Sequence, residues 1–119
     1  MAMAAPETRN LPPDLDAGLR EAVRVIVEIA YPRAVILFGS WAEGTATDRS
    51  DVDLLVMAAA ENRPLLAARL RHALRPLLAP RQAHLIVYRP EQWESGRRVI
   101  GFVTHEADNY GVKLYDRAA

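Results

Sequence analysis

The chain of 119 residues contains no cysteine, which excludes a disulfide framework, a thiolate metal site and a cysteine nucleophile. It also lacks an excess of either charge. Fifteen Lys and Arg offset fifteen Asp and Glu, so net charge gives no reason to expect nucleic acid or a membrane surface as a partner. No apolar run approaches the roughly 18 residues of a membrane span. Residues 1–10 lack the basic-then-apolar layout of a secretory signal, which leaves the cytoplasm as the expected compartment. Internal repeats and low-complexity segments are missing too. What is present is ordinary for a globular chain: half the residues are hydrophobic and a quarter charged, in a length that suits one modest core.

A flexible tail is expected over 1–13, ending at Pro12-Pro13, with one domain over 14–119. Leu15, Leu19, Ala22 or Val23, Ile26 and Ile29 recur at steps of three and four, which predicts a helix with Asp14 as N-cap and Pro32 as its stop. Ala34–Phe38 is a short apolar run ending at Gly39 and reads as a buried strand. A polar, turn-rich segment, Ser40–Ser50, leads to a second strand over Asp51–Met57. That segment is too short for a helical crossover, so the two strands are predicted to be antiparallel. Pro64 opens a second long helix with Leu66, Leu70, Ala73, Leu74 and Leu77 on its buried stripe, and Pro76 is expected to kink it or end it early. Ala83–Tyr88 is a third strand and Pro90–Glu94 one helical turn. Val99, Phe102, Val103 and Tyr110 suggest a last helix closing at Gly111, and Val112–Tyr115 a short edge strand. The expected class is α/β (α+β), a small mixed sheet flanked by helices.

The segment that bears chemistry is Gly39-Ser40, ten residues, then Asp51-Val52-Asp53. Gly39, with no Cβ, allows a sharp turn and a close approach of backbone to ligand. Ser40 can open a short helix whose hydroxyl and N–H groups meet a phosphate oxygen. Asp51 and Asp53, two apart on a strand, offer their carboxylates to the same side. Two such charges repel unless a cation sits between them. Magnesium removes that penalty and brings a triphosphate with it.

These residues resemble the signature of the polymerase β-like nucleotidyltransferase superfamily. Ala42 and Gly44 fall inside the motif and Leu54-Leu55-Val56 behind it; Tyr88-Arg89-Pro90-Glu91 and Gly111-x-x-Leu114-Tyr115 extend the likeness over most of the chain. Its brevity places it near the minimal nucleotidyltransferases, frequent partners of HEPN-domain toxins. The resemblance implies Asp51 and Asp53 as catalytic Mg2+ ligands, Gly39 and Ser40 as the triphosphate site, and transfer of AMP from ATP to a hydroxyl. In toxin-paired members that hydroxyl is a tyrosine of the HEPN partner, which makes this chain an antitoxin.

Two departures favour an alternative, a binding module that keeps the fold without turnover. The family commonly has a third carboxylate on the third strand, and His84 stands at that position. The family turn often reads Gly-Ser-Arg-Ala-Arg-Gly, whereas Trp41 and Glu43 replace both arginines here, removing two cations beside an anionic substrate. A neutral His84 can still accept a proton. A small-molecule nucleotidyltransferase is a third reading; it normally needs a further substrate domain, in place of which a homo-oligomer would supply a second wall.

The remaining features have plainer readings. Arg63, Arg69, Arg71, Arg75 and Arg81, opposed by Glu61, form either a docking face or a solvated helix face, and His72 belongs with them. His105 and Asp108 have the spacing of a metal pair but no third ligand. Trp41 is placed either to stack on a base or to face a partner. Trp93 anchors the turn after the third strand.

Overall fold

The computed structural model describes residues 11–99 and 103–118. The expected tail therefore falls outside the described residues over 1–10, as does Phe102. In chain order the elements are α1 (Pro13–Ala30), β1 (Ala34–Phe38), α2 (Ser40–Glu43), β2 (Val52–Met57), α3 (Arg63–Leu78), β3 (Ala83–Tyr88), α4 (Pro90–Gly96), α5 (Val103–Tyr110) and β4 (Val112–Asp116).

The strands form one sheet in the order β3-β2-β1-β4. β1 is antiparallel to β2 and to β4, and β2 is parallel to β3, so the sheet is mixed, as the sequence predicts. The apolar run of β1 has no polar alternation because both of its faces are covered. Val35, Leu37, Val52, Leu54, Val56, Leu85 and Val87 pack under α1 and α3. Ala34, Ile36, Leu55 and Met57 pack on the other face with Trp93 of α4 and Ala107 of α5. Period-two alternation thus sorts each strand between two helical layers. Among the described residues no helix is long and apolar enough to cross a membrane.

Helix α1 buries the expected stripe, Leu15, Leu19, Ala22, Val23 and Ile26, while Ile29 stays exposed. Its cap differs from expectation. The helix opens at Pro13 with Pro12 as N-cap. Proline at the first helical position has a suitable φ and no N–H needing a partner. That leaves Asp14 inside the first turn, where its carboxylate meets Arg81 at 2.9 Å. Helix α3 is capped by Asn62, which accepts from the Leu65 N–H at 3.0 Å. Pro76 does not end α3, which runs to Leu78. Pro76 lies on the exposed side, where water can satisfy the carbonyl that its missing N–H leaves free, while Leu74 and Leu78 are buried. A Cβ on Gly18 would overlap the Leu77 carbonyl oxygen, so α1 and α3 pack closely at that glycine. Helix α5 closes before Gly111 as expected but begins at Val103, so Val99 precedes it; Thr104 and Ala107 are its buried residues and Tyr110 is exposed.

Candidate functional site

The residues of the Gly39-Ser40 and Asp51-x-Asp53 segments meet at one end of the sheet. In the β1–β2 ladder Phe38 pairs with Asp53, which sets the first residue after β1 beside the first acid inside β2. Val52, Leu54 and Val56 point to the α1–α3 layer, so Asp53 belongs to the α4–α5 face. The two short helices cover the far half of that face, over Ala34, Ile36, Leu55 and Met57. The near end, with Phe38, Asp53 and His84, is left partly or fully exposed.

Gly39 is where backbone conformation and ligand chemistry coincide. Its φ of 72° and ψ of −154° lie in a region that L side chains rarely adopt. A Cβ there would fall on Asp53 Oδ2, 3.0 Å from the Asp53 Cγ. The turn and the strand carboxylate are therefore in direct contact, and only glycine permits it. The Gly39 carbonyl accepts from the Ala42 N–H at 3.1 Å and the Glu43 N–H at 3.0 Å, closing α2 into one turn. Ser40 is the first residue of α2, so its N–H and that of Trp41 have no acceptor within the helix.

Asp53 has a second neighbour. Its Oδ1 lies 3.0 Å from Nδ1 of His84, because the parallel β2–β3 register sets Asp53 opposite His84. His84 is 60% exposed and Asp53 21%. The sequence singled out His84 only as a replacement for a carboxylate; its pairing with Asp53 depends on a register across 31 residues. Asp51 sits one residue ahead of β2 and is exposed, while Val52 between the two acids is fully buried.

Among the described residues no three His, Cys, Asp or Glu side chains are grouped closely enough to hold a metal by themselves. The turn meets one carboxylate, Asp53, and a second, Asp51, stands exposed two residues earlier in the chain. That fits magnesium, which usually takes one or two protein carboxylates, phosphate oxygens and water. A carboxylate also offers about four lone-pair positions, so the contact with His84 leaves Asp53 able to bind a cation.

Trp41 is buried rather than offered on the surface. Only 8% exposed, it joins the α1–α3 core, donates from Nε1 to the Ser50 carbonyl at 3.0 Å and lies under the Arg81 guanidinium, 5.3 Å from the ring centroid. The arginine cluster divides. Arg63 reaches the Val87 carbonyl and the Tyr88 ring, Arg81 is nearly buried, and Arg69, Arg71 and Arg75 are exposed with His72. His105 and Asp108 do not form a pair: Asp108 approaches Arg97 at 4.0 Å and His105 approaches Glu106 at 3.9 Å. Trp93 is buried in the second core layer, as an anchor would be.

A hollow of about 330 Å³ opens at the opposite end of the α4–α5 face, floored by Met57, Trp93 and Ala107. Its charges balance in sign: Arg33 and Lys113 hold Asp116 at 2.6 and 2.9 Å, and Arg97 lies 3.4 Å from Glu94 and 4.0 Å from Asp108. No surplus of positive charge is offered there to a triphosphate.

The family model described as polymerase beta, nucleotidyltransferase matches residues 22–100, more than half of the chain and all of the site above. The chain belongs to this family. A crystal structure from Sulfolobus solfataricus, described as a candidate nucleotidyltransferase, has the same fold: TM-score 0.51, 17% identity, and 88% of each chain covered. No curated protein matches the sequence. The fold expected of the family is thus the one observed, a four-stranded mixed sheet between helical layers. Family membership makes transferase chemistry the working expectation for the Gly39–Asp53 end of the sheet.

Proposed function

We propose that this domain transfers AMP from Mg-ATP to a hydroxyl of a partner protein, as a minimal nucleotidyltransferase that acts as antitoxin to a HEPN-domain toxin. The observation that carries the reading is the contact between the Gly39 turn and the Asp53 carboxylate, because nucleotidyl transfer needs a phosphate-holding turn and a cation-holding acid side by side. In this reading Asp51 and Asp53 hold Mg2+, and Gly39 and Ser40 hold the β- and γ-phosphates. The bound cation would neutralise charge on the phosphate oxygens.

The protein's own groups then do three things. Gly39 admits the triphosphate close to the backbone, and the first N–H groups of α2 and the Ser40 hydroxyl orient it. In the neutral tautomer that donates Nδ1–H to Asp53 Oδ1, 3.0 Å away, His84 carries its lone pair on Nε2. That nitrogen takes the proton of the acceptor hydroxyl as its oxygen bonds to the α-phosphorus, and the bond to the bridging oxygen breaks to release pyrophosphate.

A second reading, a binding module without turnover, is favoured by two observations. The third acidic position is a histidine already engaged by Asp53, and the turn presents exposed Glu43 and buried Trp41 in place of arginines. Incubation with α-labelled ATP and Mg2+, with and without the product of the adjacent gene, separates the two. Label transfer abolished by Asp51→Asn with Asp53→Asn supports the enzyme. Stable association with the partner and no transfer, unaffected by that double substitution, supports the module.

A further inference from the structure

Arg81, in the connection from α3 to β3, has no part in the chemistry above, yet its side chain is only 8% exposed. A guanidinium taken out of water needs compensation from several partners. Nη1 donates to Asp14 Oδ2 at 2.9 Å, in the first turn of α1. Nε donates to the Asp48 carbonyl at 3.2 Å. Its planar face covers the Trp41 ring. Three separate segments, α1, α2 and the 44–50 loop, therefore converge on one side chain.

Two of those segments bear on the site. Trp41 follows Ser40 directly, and its indole N–H holds the Ser50 carbonyl, one residue before Asp51. Inside the loop, the Thr47 N–H donates to Ser50 Oγ at 2.9 Å and the Ser50 N–H to the Thr47 carbonyl at 3.0 Å. We propose that Arg81 is a positioning residue that fixes the 44–50 loop and, through Trp41, sets the Gly39-Ser40 turn against Asp51. The proposal rests on the reading of that turn and the two acids as the Mg-nucleotide site. It also gives Trp41 a reason to stand where the family commonly has arginine: it is the surface on which the clamp is seated. A lysine cannot replace Arg81, because a point charge lacks both the fork that serves Asp14 and Asp48 together and the flat face for the indole.

The test compares wild type with Arg81→Met and Arg81→Lys by amide hydrogen exchange without nucleotide and by calorimetric titration with Mg-ATP. In Arg81→Met the amides of Thr45, Thr47 and Ser50 are expected to exchange at least tenfold faster while those of Leu54 and Leu55 keep their protection, and Mg-ATP is expected to bind at least tenfold more weakly. Arg81→Lys should fall between. If Arg81→Met fails to fold, Asp14→Ala, at an exposed position, removes one arm and should show the same local acceleration. Unchanged loop exchange overturns the proposal, and so does faster loop exchange with undiminished Mg-ATP affinity. A wild type that takes up no Mg-ATP overturns instead the reading of the site; the nucleotide-free exchange separates that failure from a failure of the clamp.

Discussion

Substitution of Gly39 by alanine puts two separate costs on one methyl group. The backbone at φ 72°, ψ −154° strains any non-glycine residue by about 1–3 kcal/mol. The Cβ would also overlap Asp53 Oδ2, and overpacking of this kind costs about 1–3 kcal/mol. The expected loss is therefore about 2–6 kcal/mol, large against the ~5–15 kcal/mol of a typical domain. If Asp53 swings aside, the stability loss shrinks toward the strain term while the site loses its acid. Gly44 is the internal control: its φ of 79° is similar, but a Cβ there meets nothing within 4 Å, so Gly44→Ala should cost only about 1–2 kcal/mol. Urea unfolding of both variants measures the difference, and Asp53→Ala in the Gly39→Ala background should recover the overlap portion. Equal losses at the two glycines, with the Asp53 carboxyl NMR signal unmoved by Gly39→Ala, would refute the contact between turn and acid.

Other outcomes follow from the same structure. Leu74→Ala, fully buried between α3 and the sheet, should destabilise by about 2–5 kcal/mol in the same unfolding assay. Gly18→Val should destabilise more than Ala17→Val, because the Gly18 position abuts the Leu77 carbonyl and Ala17 is exposed. Acid should weaken the fold through three carboxyls held below their ordinary value, Asp14, Asp116 and Glu21, the last lowered first by its hydrogen bond from Arg24. Asp14 is lowered first by its hydrogen bond from Arg81; Asp116 is lowered first by Lys113, then by the Ala118 N–H and, more weakly, by Arg33. A depressed folded-state pKa contributes stability that is present above the unfolded value and is lost as pH falls through the folded one. The melting temperature should therefore fall below about pH 4, with a shallower fall in Asp14→Asn/Asp116→Asn.

Local pattern was enough to place most of the architecture. β1 and β3 have the predicted bounds because apolar runs ended by Gly39 and by Arg89-Pro90 leave little choice of register. The antiparallel β1–β2 pair follows from connection length alone. Pro13 opens α1 one residue ahead of the expected Asp14 cap, and Pro76 does not end α3, through position and exposure that spacing does not reveal. The acids and the Gly-Ser turn were legible as a motif. Their surroundings were not: His84 reaches Asp53 across 31 residues and Arg81 reaches Asp14 across 67. Trp41 looked available for stacking because nothing nearby in sequence announces that Ser50 and Arg81 will enclose it.

Paramagnetic broadening by Mn2+-ATP, followed on the backbone amide signals, tests the position of the site most directly. Signals of Gly39, Ser40, Asp53 and His84 should broaden first, those of Gly111 and Lys113 at the far hollow should persist, and Asp51→Asn/Asp53→Asn should abolish the effect. Broadening centred on the hollow, or surviving in the double variant, would contradict the assignment of Mg-nucleotide binding to the Gly39–Asp53 end of the sheet.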